Sequence, residues 1–183
     1  MHKWLLIFLP SFAFADIGLI SEFRGNGEIL RENSTDKLLA ELALDIFPND
    51  DVRTGNGRIA IKFTDDTEVR LTEHSKLIIT EYIFNPNKLD TGKLSLNFVK
   101  GTARFISSKN KLIKRENVSI RANGAVIGIR GTDFSISSDE VGRTMVLLLP
   151  NPDGSSSGEI TVTTFAGTVI MNKPFQATVV TVA

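Results

Sequence analysis

Alternation of apolar and polar residues, recurring along most of the chain, is the feature that most narrows its choice of fold. Ile59, Ile61 and Phe63 alternate with Ala60, Lys62 and Thr64, and Val69 and Leu71 alternate with Glu68, Arg70 and Thr72. Leu94, Leu96 and Phe98 repeat the pattern, then Ile127 and Ile129, Phe134 and Ile136, and Ile160 and Val162. Successive side chains of a strand point to opposite faces, so a period of two gives each segment one apolar face, as a half-buried strand requires. Turn signals separate the segments: Gly25-Asn26-Gly27, Gly55-Asn56-Gly57, Asp65-Asp66-Thr67, Asp90-Thr91-Gly92, Asn123-Gly124 and Asp153-Gly154. Gly and Asn tolerate the positive φ of tight hairpins. Long loops are expected only around Asn85–Asp90 and Asn151–Gly158, which are rich in Pro, Asn, Asp or Ser. The expected fold is all-β, a single domain over residues 16–183 of successive antiparallel strands and hairpins, wound as a β-sandwich or a β-solenoid-like roll.

One stretch fits two patterns. Leu38, Leu39, Leu42, Ala43, Ile46 and Phe47 match a helical stripe, whereas Leu38, Ala40, Leu42, Leu44 and Ile46 match a strand, and Pro48 ends either. The period of the rest of the chain favours a strand.

The N-terminal residues read as an export leader. His2 and Lys3 precede an apolar run from Trp4 to Phe14, and Ala13-Phe14-Ala15 is a small-x-small cleavage pattern ahead of Asp16. The run is about half of the roughly 20 apolar residues that span a bilayer. Cleavage after Ala15 is therefore expected, with residues 1–15 removed and a periplasmic or secreted bacterial protein as the product. The chain has no cysteine, so no disulfide can hold it; export without cysteine points to a bacterial envelope rather than to a small stapled domain. No later segment is long and apolar enough to span a membrane.

Two blocks of sequence resemble a known family. The first is Asp51-Val52-Arg53-Thr54-Gly55-Asn56-Gly57-Arg58, followed by Ile61-Lys62-Phe63, Asp65-Asp66-Thr67 and Val69-Arg70-Leu71. The second is Ala125-Val126-Ile127-Gly128-Ile129-Arg130-Gly131-Thr132-Asp133-Phe134, with Gly101-Thr102-Ala103-Arg104-Phe105 between the two. Together they resemble the FecR-type domain over about residues 45–137. The motif positions are Asp51, Thr54, Gly55, Gly57, Asp65, Gly128, Arg130, Gly131, Thr132 and Phe134, and a structural role is expected for them. Asp66 stands where the family usually has Gly, and Arg121-Ala122-Asn123 where it often has Thr-Pro. The best known relatives are membrane-spanning regulators that relay signals from outer-membrane receptors. For this chain the resemblance implies only their periplasmic sensing or docking half.

Independently of the family, Arg130 lies between Ile129 and Gly131 and is expected to be partly buried, with Asp133 as a candidate partner. On that expectation Arg130→Ala would cost roughly 3–5 kcal/mol.

Residue chemistry argues against catalysis. His74 is the single histidine after residue 15 and Cys is absent, which leaves zinc ligation and a His-based triad without the residues they need. Ser108-Lys109-Asn110-Lys111 matches S-x-x-K in a polar loop where that motif requires a helix. Asn85-Pro86-Asn87 and Asn151-Pro152-Asp153-Gly154 lack the spaced acids of a calcium loop. Asp50-Asp51 and Asp65-Asp66 read as turn formers. No enzyme activity, cofactor or metal is expected.

Binding remains. Formal charge over the whole chain is zero, with 21 basic and 21 acidic residues, so nucleic acid is not an expected partner. The charges are unevenly placed: Thr91–Arg115 contains no acid, and Glu32–Asp51 contains one base, Lys37. Lys109, Lys111, Lys114 and Arg115 cluster in an expected loop and form a candidate partner-binding patch. The expected function is a non-enzymatic interaction or sensing module that binds an envelope protein. Self-association through the acidic and basic stretches, and an envelope glycan- or lipopolysaccharide-binding module, are the alternatives. Tyr82, the only tyrosine, leaves little for sugar stacking.

Overall fold

The computed structural model describes residues 16–181 except 33, 35, 89, 90 and 109–112, with the backbone alone at residue 115. The expected leader and its cleavage site, apart from Asp16, lie outside the described residues. Sixteen strands form one hydrogen-bonded network, so the all-β expectation holds. The network divides into two facing layers, and the chain passes back and forth between them as it advances.

The first layer receives β1 (Gly18–Arg24), β4 (Asp45–Ile46), β6 (Arg58–Phe63), β7 (Glu68–Leu71), β12 (Asp133–Ser138), β13 (Thr144–Leu148) and β16 (Ala177–Val180). The second receives β2 (Gly27–Leu30), β3 (Lys37–Leu39), β5 (Asp51–Thr54), β8 (Lys76–Ile83), β10 (Val118–Ala122), β11 (Ala125–Arg130), β14 (Glu159–Thr164) and β15 (Gly167–Met171). β9 (Lys93–Ile106) belongs to both. Its first half pairs with β8 and β10 in the second layer, and its last six residues pair with β7 and β12 in the first. The layer orders are β4-β1-β6-β7-β9-β12-β13-β16 and β3-β2-β5-β8-β9-β10-β11-β14-β15, antiparallel throughout except for β9 with β10. The sandwich and the roll are thus one object: two sheets face each other, and the chain coils through both.

The pivot of β9 is Gly101. Its φ is +93°, and a Cβ there would sit 2.3 Å from Ser75 Oγ and 2.5 Å from Ser75 Cα. Only a residue without a side chain lets the strand change layers against β8.

The alternating residues fill one core between the layers. Ile59, Ile61, Phe63, Val69 and Leu71 meet Leu77, Ile79, Leu94, Leu96 and Phe98, and Ile127, Ile129, Phe134, Ile136, Ile160 and Val162 extend the same cluster. Fully burying a side chain of this size is worth roughly 1.5–3 kcal/mol, so the contiguous core is the main source of stability. Tyr82 stitches the layers together. Its ring stacks on Phe63 at 5.5 Å between centroids, and its hydroxyl lies 2.8 Å from Thr64 Oγ1 and accepts from Asp65 N–H at 3.0 Å.

The ambiguous stretch is not one strand. β3 ends at Leu39, a turn passes through Ala43 at φ +63°, and β4 begins at Asp45 in the other layer. Its apolar residues serve two layers, which a single continuous strand could not do. Ala40 and Ile46 are buried while Leu39 and Leu42 remain exposed.

Candidate functional site

The first motif block builds a junction. Thr54, at the end of β5, donates from Oγ1 to the Thr72 carbonyl at 2.5 Å and accepts from Ser75 N–H at 2.8 Å, which ties three segments together. The turn after it interlocks with the Gly25–Gly27 turn. Gly55 N–H donates to the Asn26 carbonyl at 3.1 Å, and a Cβ on Gly57 would fall 2.5 Å from that same carbonyl oxygen. Asp51 accepts from Arg53 Nη2 at 2.7 Å and lies 3.1 Å from Lys76 Nζ. Burial works to raise its pKa, but the hydrogen bonds and charges of Arg53 and Lys76 outweigh burial and hold it below the ordinary carboxylate value.

Asp50, next to it, is buried. Burial raises its pKa, while a hydrogen bond from Phe47 N–H and the Arg31 charge oppose the rise. Asp65 is raised by burial as well, against hydrogen bonds from Thr67 and Tyr82. Asp66 takes φ +67°, the conformation for which the family's usual Gly is suited.

The second block divides between core and surface. Phe134 is fully buried, with its ring centroid 5.4 Å from that of Phe105. Thr132 is buried, and its carbonyl accepts from Ser107 N–H at 3.0 Å, at the start of the basic crossover. Gly131 turns the chain with φ +62°. Arg130 departs from expectation. Its side chain is 67% exposed and its partner is Glu159, at 3.6 Å, rather than Asp133. The physical reason is alternation: Ile127 and Ile129 point inward, so Arg130 points outward. Asp133 instead receives a hydrogen bond from Arg104 Nε at 2.8 Å, across β12 and β9.

Arg130 stands over an open cleft of about 750 Å³. Gly128 and Thr161, directly opposite in the β11–β14 register, line it beside Arg130 and Glu159, the next outward pair. A Cβ on Gly128 would lie 2.6 Å from Thr161 Oγ1, so the glycine keeps the floor low. Lys114 and Glu116 complete the rim from the crossover. That crossover leaves the first layer after Ile106, is anchored by the buried Ile113, and ends in a short 3-10 turn, Arg115–Asn117, before β10. Lys114 of the expected basic patch is therefore brought to the same cleft as Gly128 and Arg130. Lys109 and Lys111 lie outside the described residues, and Arg115 is placed by its backbone alone. Asp51, Thr54, Gly55, Gly57 and Asp65 do not line this cleft.

Sequence reasoning missed Glu159, Thr161 and Glu116. Only the antiparallel register of β11 with β14 sets Glu159 opposite Arg130, and pairing across so long a separation leaves no local sequence signal. The cleft offers charges of both signs on a rigid sheet, which suits polar recognition of another molecule. Among the described residues no group of three or more His, Asp or Glu is placed to hold a metal, and His74 is exposed in the β7–β8 turn.

A family model described as FecR protein matches residues 50–169, from the turn before β5 into β15. The match runs well beyond the segment that the two blocks alone delimit, and takes in β14 and Glu159. No curated protein matches the chain.

Proposed function

The chain belongs to the FecR family, and from that premise we propose that it is a non-enzymatic sensing or docking module of the bacterial envelope. Its partner is a protein that seats in the cleft beside Arg130. FecR is a regulatory, signalling family, and no helix among the described residues is long and apolar enough to cross a membrane. Export through a leader cleaved after Ala15 would place the module in the periplasm, and an intact mass beginning at Asp16 is the expected result.

The observation that carries the proposal is convergence. Gly128 and Arg130, from the most specific family segment, and Lys114, from the acid-free basic stretch, meet at one open cleft although they come from separate parts of the sequence. A buried motif residue accounts for packing, whereas charged residues held outward on a sheet are available for recognition. A glycan-binding role has less to draw on, since the one tyrosine ring is stacked on Phe63 with its hydroxyl engaged.

The test is crosslinking capture from intact cells with a tagged chain. A discrete envelope protein should be recovered, and reversing Arg130 and Lys114 to Glu should reduce its recovery at least tenfold while the circular dichroism spectrum is unchanged. Capture that survives the reversal would remove the cleft from the mechanism. Recovery of glycan or lipid alone would replace the protein partner.

A further inference from the structure

The outward face of the first layer carries two pairs of arginines set directly across neighbouring strands. Arg24 of β1 stands opposite Arg58 of β6, and Arg70 of β7 stands opposite Arg104 of β9. Like charges opposed in this way repel each other and weaken a sheet. The second pair is neutralised within the sheet. Arg70 lies 3.3 Å from Glu22 and is also ion-paired with Glu68, while Arg104 is ion-paired with Asp133. Further along the same face, Lys62 meets Asp66 at 3.1 Å. The first pair has no such relief. Arg24 and Arg58 are both exposed, and among the described residues no carboxylate lies within ion-pair distance of either.

Both unrelieved arginines line one cleft of about 440 Å³, a volume within the range of small-molecule sites. Ala60 supplies its floor. It is the one outward residue of β6 that is buried, and it faces Glu22 on one side and Arg70 on the other in the strand register. Phe23, half-buried, joins Ala60 in the apolar part of the lining. Ser135, opposite Arg104, adds a hydroxyl that makes no hydrogen bond among the described residues. The cleft thus sets an uncompensated double positive charge beside a small, partly apolar recess.

We infer that this cleft binds a phosphate monoester carried by a small soluble molecule, with Arg24 and Arg58 holding the phosphate. Each guanidinium presents a planar fork of donors. A carboxylate has two oxygens and one charge, which satisfies one fork. A phosphate monoester brings about two negative charges and three acceptor oxygens, enough to accept from both arginines at once. The surrounding charges choose the source of the phosphate. Glu22, Glu68 and Asp133 stand outward on the same face, so an anionic membrane laid flat on it would meet carboxylates as well as arginines. A molecule small enough to enter the cleft places its phosphate on the unrelieved pair, with Glu22 already held by Arg70. This site shares no lining residue with the cleft beside Arg130 and does not depend on the partner proposed there.

Isothermal titration calorimetry with phenyl phosphate should show one saturable site per chain, with a dissociation constant below about 1 mM. Benzoate, which matches the ring but offers a single carboxylate, should bind the unaltered protein about tenfold or more weakly. That comparison needs no variant to fold. Arg24→Gln combined with Arg58→Gln should weaken phenyl phosphate binding by about tenfold or more with the circular dichroism spectrum retained. Arg121→Gln combined with Lys173→Gln removes the same charge from exposed positions outside the cleft and should leave binding unchanged. No saturable heat up to about 10 mM phenyl phosphate, equal binding of benzoate, or binding that survives the Arg24→Gln/Arg58→Gln substitution overturns the inference. So does co-sedimentation with vesicles containing phosphatidic acid when phenyl phosphate does not bind, which would assign the arginines to a lipid headgroup.

Discussion

Asp51 receives two hydrogen bonds from the Arg53 guanidinium and faces the Lys76 ammonium, so its carboxylate is favoured in the folded protein. A folded pKa below the unfolded value gives stability that is present above the unfolded pKa, near 3.9, and lost as pH falls through the folded one. Asp51→Asn should therefore lower stability at pH 7 by about 1 kcal/mol. Urea denaturation should show the difference from the parent protein closing below about pH 3. Asp65 has the opposite sign. Burial raises its pKa, so its unfavourable contribution is present above the folded pKa and relieved as pH falls toward the unfolded one. At Arg130, whose exposed side chain makes one long ion pair, alanine should cost less than about 1 kcal/mol in thermal denaturation. Phe134→Ala should cost about 3–5 kcal/mol by the same measurement, since its ring is fully buried against Phe105. The contrast between the two was readable in part. Strict alternation from Ile127 already sends Arg130 outward, but the apolar and glycine neighbours in sequence drew attention to burial instead.

At the scale of elements, β9 is the least replaceable strand. Gly101→Ala should lower stability by about 1–3 kcal/mol or more, because the positive φ is strained for alanine and the Ser75 backbone stands in the way. A denaturant midpoint unchanged by that substitution would contradict the pivot. The strands themselves were legible, because Ile59-Ile61-Phe63 and Leu94-Leu96-Phe98 carry the period of two without interruption. Their partners were not. Nothing local in Val118–Ala122 announces that it pairs parallel to β9, or that β9 continues past Gly101 into another layer. The stretch from Leu38 to Ile46 failed for a related reason: its apolar residues answer to two sheets, so no single period describes them.

Across the whole molecule, both layers share one core and one strand, which leaves no seam at which part of the protein could unfold alone. A single calorimetric transition is expected, with the calorimetric enthalpy equal to the van't Hoff value. Two resolved transitions would mean that the layers are energetically separate. The candidate cleft was only half legible at this scale. Gly128, Arg130 and Lys114 stood out in the sequence, whereas Glu159 enters through a register that only the folded sheet defines.

The order of strands within the layers bears on how the chain assembles. β1 and β4 lie at one end of the roll and β15 and β16 at the other, and the first and last strands never pair. A ribosome or export channel delivers the polypeptide from the N-terminus onward. Here the longest strand pairing in sequence is that of Gly18 with Phe63, and no strand waits for the opposite end of the roll. Core formation need not wait for distant termini to meet. Among the described strands the charged end is delivered first, and β15 and β16 follow when the rest of the core is already in place to hold them.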